Sequence, residues 1–334
     1  MKKILLAVCA IAVVSLTGCK KDPVEPTPNP QPTSGEGIYN PGARIATVTD
    51  NDGNHQWIWT GTKLDRIEST DIQGNPAGTQ HFSYNGNRIS SMTQTVEGVE
   101  TETRVTYSGN FISAISIYTD GTQSVNANVT HNSANKISRV DLDVDASYMN
   151  DLLGLLTQGG LSFKGTKDSR KLSISNANIY ATFEWQGDNV SRMIVSADIN
   201  GGITMDDIGQ FVDLTQVLGD LASFASLIQG EQPMVITLRD TVDLTYDDQH
   251  NPLQGFIGLL DPQVLSANNY TLMENHGNAD INITINVPIL GPYPIEQSMP
   301  ITRVTDYIYT YNNAGFPLTA SDDDGNQTTY TYQE

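Results

Sequence analysis

The stretch Phe82-Ser83-Tyr84-Asn85-Gly86-Asn87-Arg88-Ile89-Ser90-Ser91-Met92 decides the fold. An aromatic residue, Tyr84, precedes a polar turn at Asn85-Gly86. An aliphatic residue, Ile89, follows, and a second apolar residue, Met92, comes three positions later. Asn-Gly between alternating segments is a strong hairpin signal, because both residues tolerate the positive φ of a type I′ turn.

The same spacing recurs at Trp59 with Leu64 and Ile67, Tyr107 with Ile112 and Ile115, His131 with Ile137 and Val140, and Trp185 with Val190 and Met193. Two looser copies run through Tyr246, Leu253 and Phe256, and through Tyr311 and Leu318, where Ser321 breaks the second apolar position. Seven copies mark a repeat architecture. The first anchors are 25, 23 and 24 residues apart, which fits one hairpin plus a return turn per unit. Return turns are legible at Asp52-Gly53-Asn54, Gln73-Gly74-Asn75, Asp120-Gly121 and Asp324-Gly325-Asn326.

Consecutive strands joined by tight turns make an antiparallel meander. Two strands per unit give about fourteen, and a twisted sheet rarely exceeds about ten without curling, splitting or closing. The expected fold is all-β: a large antiparallel meander curled into a barrel-like or half-barrel sheet, with two or three inserted amphipathic helices. The later anchors lie 54, 61 and 65 residues apart, so those units carry insertions. Helical signals fall near 147–158, 204–229 and 252–260. The second is the clearest, with Ile208, Phe211, Leu214, Leu218, Leu221, Ala225 and Ile228 on one face and a capping box at Thr204 and Asp207. Such stripes must be buried, and the concave face of the sheet is the expected place.

Residues 1–18 read as a lipoprotein signal peptide: Lys2 and Lys3, an apolar run from Ile4 to Leu16, then Leu16-Thr17-Gly18-Cys19, where Cys19 would carry the lipid. The run is short for a bilayer span. Cys9 would leave with the signal, so disulfides and thiol chemistry are not expected. Residues 19–37, with five prolines between Lys20 and Gly37, read as a tether, and 38–334 as a single repeat domain. The net charge of −20 becomes about −22 when Lys2 and Lys3 leave, which argues against nucleic acid or anionic headgroups as partners.

Chemistry-bearing motifs are scarce. The five histidines have no zinc spacing, and no nucleophile elbow, P-loop or dinucleotide fingerprint is present, so no catalytic residue, metal or cofactor is assigned. His131 holds an anchor position and reads as a packed aromatic substitute; His250 and His276 read as exposed. Asp50–Asn54 and Asp322–Asn326 hint at calcium loops, but hairpin turns explain them better. Asp141, Asp143 and Asp145 read as a wet strand face. Trp57, Trp59 and Trp185 could stack on a sugar, yet their places in the repeat favour core.

The final stretch, YIYTYNNAGFPLTASDDDGNQTTYTYQE from Tyr307 to Glu334, looks like a YD-type repeat. With the lipobox, tether and insertions, the chain from about residue 40 onward resembles the Bacteroidetes secreted lipoproteins of unknown function described as having a porin-like fold. The resemblance implies a fold and brings no catalytic residues. The departures at His131 and Ser321 leave those two units outside its pattern. A transmembrane porin is not expected, since helix insertions are too large for short periplasmic turns.

The expected role is a non-enzymatic lipoprotein of the outer membrane, facing the periplasm or the cell surface and held by the lipid on Cys19. It would bind a lipid, glycan or protein ligand. A purely structural or protein-interaction role is the alternative, and a carboxylate hydrolase a third.

Overall fold

The computed structural model describes residues 39, 42–96, 98–145, 173–204, 228, 230–256, 261–287 and 291–333. Cys19, the tether, the helical signal at 147–158 and nearly all of that at 204–229 lie outside them.

Sixteen antiparallel strands close into one barrel in sequence order. They are β1 (Ile45–Thr49), β2 (Gly53–Thr60), β3 (Lys63–Asp71), β4 (Pro76–Asn85), β5 (Arg88–Val96), β6 (Val99–Ser108), β7 (Phe111–Thr119), β8 (Thr122–His131), β9 (Ile137–Val144), β10 (Ser173–Gln186), β11 (Asn189–Ile203), β12 (Gln232–His250), β13 (Asn268–Val287), β14 (Gly291–Tyr311), β15 (Pro317–Asp322) and β16 (Gln327–Tyr332). One short helix, α1 (Pro262–Leu265), lies between β12 and β13. In the third helical segment, residues 252–256 form turns instead, and the helix begins where Pro262 fixes its first turn behind the N-cap Asp261.

The seven units account for fourteen strands, β2 to β15. The chain ends supply an eighth: β1 pairs with β16, setting Ile45 against Tyr332, and Gln333 N donates to Arg44 O at 2.8 Å.

A spacing of three on a strand should put two residues on opposite faces. Leu64 and Ile67 are nonetheless both buried, because the register between β2 and β3 skips one residue: Ile58 faces Arg66 and Trp59 faces Leu64, leaving Asp65 as a bulge. The same shift sits beside Tyr84, Tyr107, His131 and Trp185, where Ser90, Ser113, Ser138 and Ser191 are the extra residues. A bulge bends the strand and re-aims its side chains. The repeat therefore encodes a hairpin with a bulge in a fixed place.

That register corrects the last unit. Tyr311 faces Pro317, Leu318 is the bulged residue and is 38 % exposed, and Ala320 is fully buried, so Pro317 and Ala320 hold the two apolar places and Ser321 breaks nothing. The loop there is one residue longer, as it is after His131. In both, an asparagine side chain, Asn132 or Asn312, accepts from the backbone amides two and four residues on, at 2.9 and 3.0 Å. At Asn85-Gly86 only Gly86 has positive φ, 63°, as the first central residue of a type II′ turn rather than the expected type I′. Type I′ residues occur at Asp120-Gly121, with φ of 47° and 77°.

Four anchors, and Tyr332 at the end of the chain, reach back one unit. Trp59 Nε1 donates to Ile45 O at 2.7 Å, Tyr84 Oη to Leu64 O at 2.9 Å, Tyr107 Oη to Ile89 O at 2.7 Å, Trp185 Nε1 to Ile137 O at 2.7 Å and Tyr332 Oη to Pro317 O at 2.7 Å. The basic residue before the aliphatic one reaches forward: Lys63, Arg88 and Lys136 lie over the rings of Tyr84, Tyr107 and Trp185 and donate to the carbonyls of Gly86, Gly109 and Gly187. Neighbouring hairpins are thereby tied through turn carbonyls that would otherwise be left to water.

Candidate luminal site

The faces of the wall differ in polarity. Along β12, Thr237, Arg239, Thr241, Asp243 and Thr245 alternate with Ile236, Leu238, Asp240, Val242 and Leu244; along β13, His276, Asn278, Asp280, Asn282 and Thr284 alternate with Gly277, Ala279, Ile281, Ile283 and Ile285. The apolar set is the inner one. Val242 and Met273 share a core with Val105, Ile115, Tyr307 and Tyr330 from strands all round the barrel, gathered about Val264 and Leu265. The outer face is consequently polar, with ion pairs such as Arg239–Asp198 at 2.8 Å and Arg192–Asp243 at 2.6 Å.

One end of the lumen is filled by the connection between β12 and β13. Phe256 packs against Tyr39, Trp57 and Phe82 with ring centroids 5.2, 5.3 and 5.6 Å away, and Leu253 joins the same cluster. Tyr39 closes this end from the N-terminal side: it is 3 % exposed and donates to Pro252 O at 3.1 Å. Here the anchor bonds are rerouted. Tyr246 meets Ser266 Oγ at 2.9 Å, and that oxygen accepts from Val190 N at 3.1 Å. Tyr311 donates to Asp247, which also accepts from the amides of Gln249 and Asn269. Burial pushes the Asp247 carboxyl up to about 6 against these donors, and pushes Asp261, capped onto Gln263 N at 2.8 Å, up to about 7. Both carboxylates hold the plug in place.

Beyond the plug the inner wall of β12 to β14 turns polar. Asp240 faces Gly277, Asn275 faces Arg303, and Met273 faces Thr305. Asn275 Nδ2 donates to Asp240 Oδ2 at 3.0 Å, while Asp240 Oδ1, Asn275 Oδ1 and Thr305 Oγ1 are buried without a hydrogen-bond partner. Burial raises the Asp240 pKa; the Asn275 bond and the charge of His276 partly offset it. Arg303 turns to Asp324 at 2.6 Å. Gln297 and Arg303, on the inward side of β14, are exposed, because β15 pairs with β14 only from Tyr307 onward and leaves this stretch of the wall open to water at the rim.

A second array joins Asp50, His55 and Ser69. His55 Nδ1 and Ser69 Oγ are 2.8 Å apart, and His55 Nε2 lies 3.4 Å from Asp50 Oδ2. The residue types are those of a serine, histidine and aspartate triad, with the two ring nitrogens exchanged relative to it. Asp50 Oδ1, however, accepts from the amides of Asp52 and Gly53, making it a turn residue first. Burial pushes the Asp50 carboxyl up, and the bonds from His55 and the turn amides more than reverse it. The array locks the β1–β2 turn to β3.

The residues singled out in the sequence fall mostly into structure. Trp57 is 6 % exposed and belongs to the core, and the half-buried Trp59 and Trp185 pack against it, Trp59 stacking on Trp57 at 6.4 Å. His131 packs on Phe111, and burial lowers its pKa. His276 is exposed in β13 as expected. His250, expected exposed, ends β12 half-buried against Phe316 at 5.2 Å, because the β14–β15 turn folds over it, with Gly315 O accepting from His250 N at 3.0 Å. Asp322 accepts from Asn326 N at 2.6 Å, a turn and not an ion site. Asp240 and Asn275 had no sequence signal beyond polar residues on the apolar phase of their strands.

No protein-family model and no curated protein matches the chain. It is similar to the crystal structure of a porin-like protein from Bacteroides uniformis ATCC 8492, at 9% sequence identity and a TM-score of 0.40, over 89% of this chain and 100% of that one.

Proposed function

We propose that this chain is a water-facing, lipid-anchored binding barrel of the outer membrane, without catalytic activity, that takes a small polar ligand in its lumen. The polarity of the wall carries the reading. A membrane-spanning barrel needs an outward apolar band about 25 Å tall, and its interior is polar; here Thr, Arg, Asp and Asn alternate outward while Ile, Leu, Val and Ala point in. No helix among the described residues is long and apolar enough to cross a membrane either; the attachment in this reading is the lipid on Cys19, after the pattern Leu16-Thr17-Gly18-Cys19.

Sixteen strands enclose more room than side chains alone fill, since about eight suffice for a packed interior. The plug uses one end, and the wetted wall of β12 to β14 is the place for a ligand. The filled end also favours a second reading, a structural envelope protein acting through its surface.

Native mass spectrometry of residues 37–334, purified without detergent, tests the choice. A retained small molecule that leaves on denaturation supports binding; a bare chain mass supports the surface role. Incorporation of labelled palmitate in the full chain, lost in Cys19→Ala, tests the anchor.

A further inference from the structure

We propose that the luminal ligand is recognised through an alkylammonium group seated on Asp240 and Asn275; this rests on the luminal-binding reading and makes it specific. Asp240 is half-buried, and a carboxylate oxygen enclosed away from water is ordinarily paired, because an uncompensated charge there is costly. Asp240 has one donor, the neutral amide of Asn275, and its Oδ1 has none. The two arginines nearby are committed elsewhere, and the charge of His276 offsets the burial of Asp240 only in part. Arg239, on the outer phase of β12, pairs with Asp198 at 2.8 Å; Arg303, opposite Asn275, pairs with Asp324 at 2.6 Å; His276 lies on the outer phase of β13.

The carboxylate is built in rather than incidental. A Cβ at Gly277 would lie 2.6 Å from Arg239 O and 2.8 Å from both Asp240 Cα and Asp240 Oδ1, so the close approach of β12 demands glycine there and the Asp240 carboxylate lies against the space it leaves. Of the three oxygens without partners here, Asp240 Oδ1 and Asn275 Oδ1 only accept, since Asn275 spends its amide nitrogen on Asp240, while the Thr305 hydroxyl can accept or donate. Sugar hydroxyls donate and accept alike, whereas an ammonium only donates, with three N–H groups. An acceptor-only pair carrying one negative charge therefore selects the ammonium. Val195, Val242, Met273 and Ile301 share the inner face around it, which suits an alkyl chain.

The group could belong to a free amine or to a lysine side chain. Isothermal titration of residues 37–334 with 1,5-diaminopentane and with Nα-acetyl-lysine methylamide separates the two, with 1-butanol and potassium chloride as controls. At least one amine should bind and neither control should. Asp240→Asn, which keeps the shape and removes the charge, should weaken amine binding about tenfold or more while leaving thermal stability at or above that of the parent chain. Gly277→Ala should weaken it as well. Absence of amine binding, equal binding by Asp240→Asn, or equal response to potassium would overturn the proposal. If native mass spectrometry still finds a retained molecule that Asp240→Asn does not release, the luminal-binding reading stands and only the ammonium assignment fails.

Discussion

Phe111 lies with its ring centroid 5.4 Å from that of His131, in the place where other units set a lysine or arginine over a tryptophan or tyrosine. Two departures from the repeat thus meet in space. The exchange replaces a cation–π contact by a ring–ring contact, and it gives up the anchor bond, since His131 Nε2 is buried without a partner.

A double-mutant cycle between Phe111→Ala and His131→Ala should return a coupling of about 0.5–1.5 kcal/mol in chemical denaturation. Burial lowers the His131 pKa, so the neutral ring stabilises the fold above its ordinary pKa of 6.5 and that contribution is lost as pH falls through the depressed value. His131→Tyr should be free of this acid loss and, reaching Ile112 O as the other anchors reach their partners, should melt no lower than the parent at neutral pH.

Asp261 works in the opposite direction. Its folded pKa of about 7 is raised by burial from 3.8, so the stability tied to its protonation is complete below the unfolded value and is lost as pH rises through about 7. Asp261→Asn keeps a side-chain oxygen for the cap. It should melt a few degrees above the parent at pH 8, with the difference vanishing near pH 4. A parent chain whose melting temperature showed no such convergence would contradict the buried placement of this carboxylate.

Tyr84→Phe and Tyr107→Phe each remove one hydroxyl donor from a backbone carbonyl and leave the ring. Each should cost about 0.5–1.5 kcal/mol in urea unfolding. Tyr84 also has its phenol pushed up to about 12 by burial, so alkaline difference spectra should find it ionising late.

Two glycines separate steric from torsional causes. A Cβ at Gly53 would fall 1.8 Å from Thr70 O at φ 152°, whereas at Gly86, φ 63°, nothing lies within 4 Å. Gly86→Ala should cost about 1 kcal/mol, the price of a left-handed residue with a side chain. Gly53→Ala should cost clearly more, because the β2–β3 contact must open; equal losses would refute the close approach.

The unit of aromatic, turn and two apolar residues was legible because it is local, and it led to a curled antiparallel meander. What it could not carry was the bulge, which exists only when a second strand is present to be skipped past: Leu64 and Ile67 look like an irregular strand until Asp65 is set aside. The same blindness put Leu318 in a core place that Pro317 holds. The plug was missed for another reason. Leu253 and Phe256 fit the repeat spacing well enough to pass as wall residues, and only closure of the barrel shows them inside it. Asp240 was invisible as a site because a polar residue on an apolar phase is meaningful only once the inner face is known.

Because Ile45 and Tyr332 complete an eighth unit with the same back-reaching bonds as the units of Trp59, Tyr84, Tyr107 and Trp185, the seam between β1 and β16 is built like the other joints of the ring. A circular permutant opened between Ser133 and Ala134, with Glu334 joined to Tyr39 by a short glycine-serine linker, should regain the same far-ultraviolet spectrum and cooperative melt as the parent. The ring would then be a closed necklace whose clasp can be moved from bead to bead.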